Sequence, residues 1–284
     1  MAIGVVIKMR TQSCRRGCQQ GFSLIELIMV IVILGIIGAM VAVFMKAPID
    51  AYVASAGRAA LTDVADTTVR RIARDIHKAL PNSIRTSADQ QCIEFIPTKT
   101  GGRYRTAEKV LGDGSSLDFD TADTSFNMLG SNSALPADQR IVAGDVVVVY
   151  NLGIAGSSAY AGDNTAQVSS VGTETGTPLE TPLSIAAKQF PLASGSNRFH
   201  VVPAAEKVVA YVCSGGFLRR TVTSNSFASA CPTTGPIVAK NATCTFDYSG
   251  SDLQRNALVR MVLQLAESGE TVTLQHEVHV NNTP

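Results

Sequence analysis

Residues 22–45, FSLIELIMVIVILGIIGAMVAVFM, hold 24 positions and one charged side chain, Glu26. At ~1.5 Å per residue a helix of that length spans about 36 Å, enough to cross the ~30 Å hydrocarbon core of a bilayer. No water-soluble fold exposes such a run, so lipid or other chains must cover it. Four basic residues (Lys8, Arg10, Arg15, Arg16) and no acid precede it. That asymmetry predicts a cytoplasmic N-terminus, with the rest of the chain sent outward across the membrane. A secretory signal would end in a small-residue cleavage site. Here Lys46-Ala47-Pro48 leads straight into more helical pattern, which predicts a single-pass anchor.

Glu26 fits a plain anchor poorly. A mid-bilayer carboxylate costs on the order of 2.5–3.5 kcal/mol on insertion scales, and such residues are usually functional. Its place near one end of the run lowers that cost, and a helix N-terminus stabilises a negative charge. A cationic partner would offset the remainder. A free α-amine on Phe22 is one, and it exists only if the chain is cut between Gly21 and Phe22.

Beyond the run, residues 49–80 read as an amphipathic helix with an apolar stripe of Leu61, Val64, Thr68, Ile72, Ile76 and Leu80. Asp66–Arg70 and Arg71–Asp75 are spaced as i,i+4 ion pairs, and Arg70, Arg71, Arg74 and Lys78 read as a solvated face. Pro48 is expected to kink or interrupt the helix and Pro81 to end it. From Arg85 the period shifts toward two. QCIEFIP, DVVVVYNL, RFHVV, KVVAYVC, FLRRTV, TCTFDY, LVRMVLQL and TVTLQHEVHV all read as strands. Ser214-Gly215-Gly216 and Glu267-Ser268-Gly269-Glu270 read as hairpin turns. The Gly- and Ser-rich stretches 112–140 and 153–197 read as loops or insertions. Fold class is therefore α+β, a long helix packed on an antiparallel sheet domain.

Six cysteines fall into two groups. Cys14 and Cys18 lie in the leader without a second ligand pair that would suggest zinc. Cys92, Cys213, Cys231 and Cys244 follow the apolar run and suit disulfides in an oxidising compartment. Loop length favours Cys213–Cys231, then Cys231–Cys244, with Cys92 joining the remaining cysteine or staying a buried thiol.

GFSLIELIMVIVILGIIGAM resembles the class III signal of type IV pilins and type II secretion pseudopilins. The resemblance implies cleavage after Gly21 by a prepilin peptidase, N-methylation of Phe22 and Glu26 as the assembly carboxylate. It implies a leader at 1–21, a transmembrane and assembly helix at 22–45, its amphipathic outer half at 46–81, and a β-rich head at 82–284. The implied architecture is the pilin lollipop. GDVVVVYNLG, RFHVV…KVVAYVC…GGFLRR and CTFDY…ALVRMVLQL resemble the larger minor pilins of the PilW and pseudopilin J kind. They are similar in particular to MshO-like proteins of mannose-sensitive haemagglutinin pili. The partners implied are other major and minor pilins, the inner-membrane assembly platform and, before assembly, membrane lipid. The alternatives are a type II secretion minor pseudopilin or a membrane-anchored adhesin.

Little else suggests chemistry. The net charge of +1, falling to 20 basic against 23 acidic residues once 1–21 are removed, argues against nucleic acid. HEVH at 276–279 lacks the H-E-x-x-H spacing, and on a strand His276 and His279 face opposite ways. Four aspartates in GDGSSLDFDTAD (112–123) offer oxygens to Ca²⁺, but they miss the EF-hand spacing and are common turn formers. The expectation is a structural subunit with no catalytic residue, cofactor or metal.

Overall fold

Helix α1 runs from Leu24 to Ile76 and carries Pro48 inside it. The expected interruption is absent: the helix continues through the proline, which removes one backbone donor and leaves the neighbouring bonds in place. The computed structural model describes residues 21–228, 231–248 and 256–284. The basic leader, with Cys14 and Cys18, lies outside the described residues. The chain divides into two compact units, Met1–Ala54 and Ser55–Pro284.

In the second unit the helix buries Leu61, Ala65, Thr68, Val69, Ile72, Ala73 and Ile76. Val64, expected in this stripe, is 47% exposed, and Ala65 takes its place at 0%. The helix also stops before Leu80. Lys78 and Ala79 bond to carbonyls three residues back, and the Leu80 amide turns to the Ile96 carbonyl at 2.8 Å. Pairing of Ala79 with Pro97 thus captures the backbone before Pro81 is reached.

One five-stranded antiparallel sheet has the order β1-β2-β9-β10-β11. Its strands are β1 (Arg85–Thr86), β2 (Cys92–Phe95), β9 (Val208–Ser214), β10 (Phe217–Thr223) and β11 (Ile237–Lys240). A three-stranded sheet holds β12 (Ala242–Tyr248), β13 (Asn256–Glu267) and β14 (Glu270–Asn281) in sequence order. Both expected hairpins form. Their central residues, Gly215 and Gly216 in one and Ser268 and Gly269 in the other, all have positive φ, as a twist-matched two-residue turn requires.

The third sheet corrects the loop assignment. Residues 112–140 contain β4 (Asp123–Leu129), and 153–197 contain β6 (Thr165–Val171) and β7 (Glu180–Lys188). They join β3 (Thr100–Arg103), β5 (Val146–Val149) and β8 (Arg198–Val202) in the order β3-β8-β5-β6-β7-β4. Tyr104 bridges Met128 across the two edges, so the sheet closes on itself as a small barrel. Tyr104, Phe126, Phe190 and Phe199 fill it.

The cores explain the densest apolar runs. Val147 and Val149 face into the barrel, while Val146 and Val148 pack outside it with Leu80, Ile96 and Val208. A strand buried on both faces reads as continuous valine. The helix stripe packs on β9 and β12–β14 through Val209, Tyr211, Phe246, Met261 and Leu263.

The cysteines pair as Cys92–Cys231 and Cys213–Cys244, with Cα separations of 6.1 and 5.9 Å. The expected Cys213–Cys231 bond is therefore incorrect, and the reason is strand parity. Cys92 stands opposite Val212 and shares its face with Ala210, where Cys231 packs. Cys213 points the other way, into the core with Cys244. The chain length that favoured a short loop loses to the side of the sheet.

Candidate functional site

The first helical turn sets the N-terminal segment. Ser23 stands just before α1, and its Oγ accepts the Glu26 amide at 3.3 Å. This is the N-cap arrangement, with Glu26 third in the helix, where the helix dipole favours an acid. The Ser-x-x-Glu spacing was legible in the sequence and its capping meaning was missed.

From Gly21 to Val53 every residue is exposed, including Phe22 at 76% and Leu24 at 78%. Among the described residues α1 is the one helix long and apolar enough to cross a membrane, by length and composition. A helix that is apolar all round needs a cover of lipid or other helices. Glu26 has no hydrogen-bond or ion-pair partner for its carboxylate among the described residues. The next charged residue along the helix is Lys46, about 30 Å away at ~1.5 Å per residue. Any cation that neutralises Glu26 must therefore come from the chain's own N-terminus or from another molecule.

The chain matches the prokaryotic N-terminal methylation motif over residues 16–42. It therefore carries a type IV pilin-like prepilin signal, which implies processing by a prepilin peptidase and assembly with other pilins. Together with the apolar helix, the signal fits a membrane-anchored single-pass protein of the pilin or pseudopilin kind. No curated protein and no solved structure matches the chain.

In the second unit the titratable groups are mostly tied to their neighbours. Asp75, expected to pair with Arg71, instead accepts Tyr211 Oη at 2.7 Å and Arg220 Nε at 2.8 Å. The Arg220 guanidinium also donates to both Glu206 oxygens at 3.1 Å. This network ties the last turn of α1 to β9 and β10, while burial, reinforced by Asp75, pushes the Tyr211 phenol up. The other expected pair, Asp66–Arg70, is present at 2.7 Å.

The aspartates of 112–123 turn onto their own loop. Asp113 accepts the Val110 and Ser115 amides, Asp118 the Asp120 amide, and Asp123 the Asp118 and Thr124 amides. The Thr121 hydroxyl, followed by backbone amides, holds Asp118 below the usual carboxylate range. Among the described residues no group of three His, Cys, Asp or Glu is arranged to hold a metal ion. His276 is half-buried and His279 exposed, on opposite faces of β14.

Proposed function

We propose that the chain is a minor pilin-like structural subunit of a type IV filament, acting in its biogenesis at the initiation or tip complex. Cleavage after Gly21 frees the Phe22 amine, which is then methylated. The helix leaves the inner membrane and packs among other pilins, and the Glu26 carboxylate neutralises the Phe22 amine of a neighbouring subunit. The observation that carries this reading is an acid with no partner among the described residues, in the first turn of an apolar helical segment exposed as far as Val53, inside a prepilin signal. The large Ser55–Pro284 unit suits a tip, since a bulky head repeats poorly along a packed shaft. The finer assignment, to a mannose-sensitive haemagglutinin-type pilus, rests on the likeness of the head strands to MshO-like and PilW-like proteins.

Glu26→Val tests it. The substitution removes an insertion cost of up to about 3 kcal/mol, so the membrane pool should hold or rise. Incorporation should fail, because the neighbour's buried amine loses its counter-charge at a cost of roughly 3–5 kcal/mol. Glu26→Asp, with a shorter reach, should be intermediate. The measurement compares membrane levels with sheared-filament levels in the native host. Equal incorporation of all three proteins would remove the pairing role of Glu26, and absence of all three from the filaments would leave only a plain anchor.

A further inference from the structure

On the outer face of the barrel, pairing of β3 with β8 sets Arg103 directly opposite Arg198 and Gly101 opposite His200. Side chains alternate along a strand, so these four positions share one face. Both arginines are exposed, and neither has an acidic partner among the described residues. Like charges at directly opposed positions destabilise an antiparallel pair. Arg105, two residues further along the same face, shows the usual remedy, since Glu180 neutralises it.

The surface beside the arginines is kept bare. A Cβ on Gly101 would lie 2.8 Å from the Phe199 carbonyl oxygen, so this position takes no side chain without a shift of the strand. The result is a depression of about 220 Å³ bordered by both arginines and His200. His200 Nδ1 lies 3.6 Å from the Gly101 Cβ position, and its Nε2 is buried without a partner among the described residues. Burial, then the Arg198 charge, pushes the imidazole down to about 4, so near neutral pH it carries one N–H donor and no charge.

We propose that this depression binds an oxyanion group (a carboxylate, sulfate or phosphate) between the Arg103 and Arg198 guanidinium groups. Planar guanidinium forks match the oxygens of such a group, and a bound anion converts the opposed pair from repulsive to bridged. The bare glycine surface lets the group approach the strands.

The test uses the full chain in detergent, titrated calorimetrically with sodium sulfate and, separately, with an oligogalacturonate, at ionic strength held constant with chloride. Saturable binding of sulfate supports a free-ion site, and binding of the oligouronide supports an acidic-sugar site. Arg103→Gln and Arg198→Gln should each weaken binding about tenfold or more, the loss expected for a charge-assisted contact. Without anion and at low salt, each variant should unfold at the same temperature as the wild type or higher, because the repulsion is gone. Absence of saturable binding to both probes overturns the proposal. So do variants that bind like the wild type, or variants that unfold earlier without anion.

Discussion

Glu180 closes the edge of the barrel, and neutralising it should loosen the loop that follows β3. Its side chain is 5% exposed, and it accepts Lys109 Nζ at 2.9 Å, Asn127 Nδ2 at 2.8 Å and both forks of Arg105. Glu180→Gln keeps the shape and removes the charge. Breaking a buried pair costs roughly 3–5 kcal/mol, but Arg105 and Lys109 are 27% and 35% exposed and recover part of their hydration. The net loss should be about 2–4 kcal/mol. At ~2–4 °C per kcal/mol for a domain of this size, the melting temperature should fall by about 5–15 °C. The Arg105 hydrogen bonds, working against burial and helped by Lys109 and Asn127, hold the Glu180 carboxyl down to about 2 from 4.5. A depressed folded-state value means the stabilisation is complete above about 4.5 and disappears as pH falls through about 2. The gap between wild type and Glu180→Gln should therefore be constant from neutral pH to about 5 and close below 4.5. Thermal unfolding of the detergent-solubilised chain, followed by far-UV circular dichroism, measures it. Coincident curves at neutral pH, or a gap unchanged near pH 2, would refute the reasoning.

Two further predictions concern covalent chemistry. Co-expressed with a prepilin peptidase, the wild type should begin at Phe22 by N-terminal sequencing, whereas Gly21→Arg should keep its leader; a wild type that still begins at Met1 would remove the processing step. Non-reducing peptide mapping of exported protein should find Cys92–Cys231 and Cys213–Cys244, whose separations of 139 and 31 residues correspond to about 5 and 4 kcal/mol of chain entropy, each bond taken alone. Cys244→Ser should lower stability accordingly, and recovery of a Cys213–Cys231 peptide would contradict the facing of β9.

The membrane segment, the helix and eight of the strands were legible because their physics is local. An unbroken apolar run needs a cover wherever it stands, and strands such as Val146–Val149 bury enough surface to show in composition alone. The Glu26 problem was visible for the same reason, since one acid in 24 residues stands out without any fold. Strands β4, β6 and β7 lack the run of β-branched residues that marks β5 and β9, and register shifts at Asp123/Ser125 and Val168/Ser170 interrupt their pairing. Their Gly- and Ser-rich flanks then read as loop. Three outcomes depended on which faces meet in space, and sequence spacing carries no trace of them. One is the pairing of Cys213 across the core with Cys244, decided by strand parity. Another is the choice of Asp75 between nearby Arg71 and distant Arg220, decided by packing of the helix on β10. The last is the meeting of Arg103 with Arg198, 95 positions apart, which pairing of β3 with β8 creates and no local pattern announces.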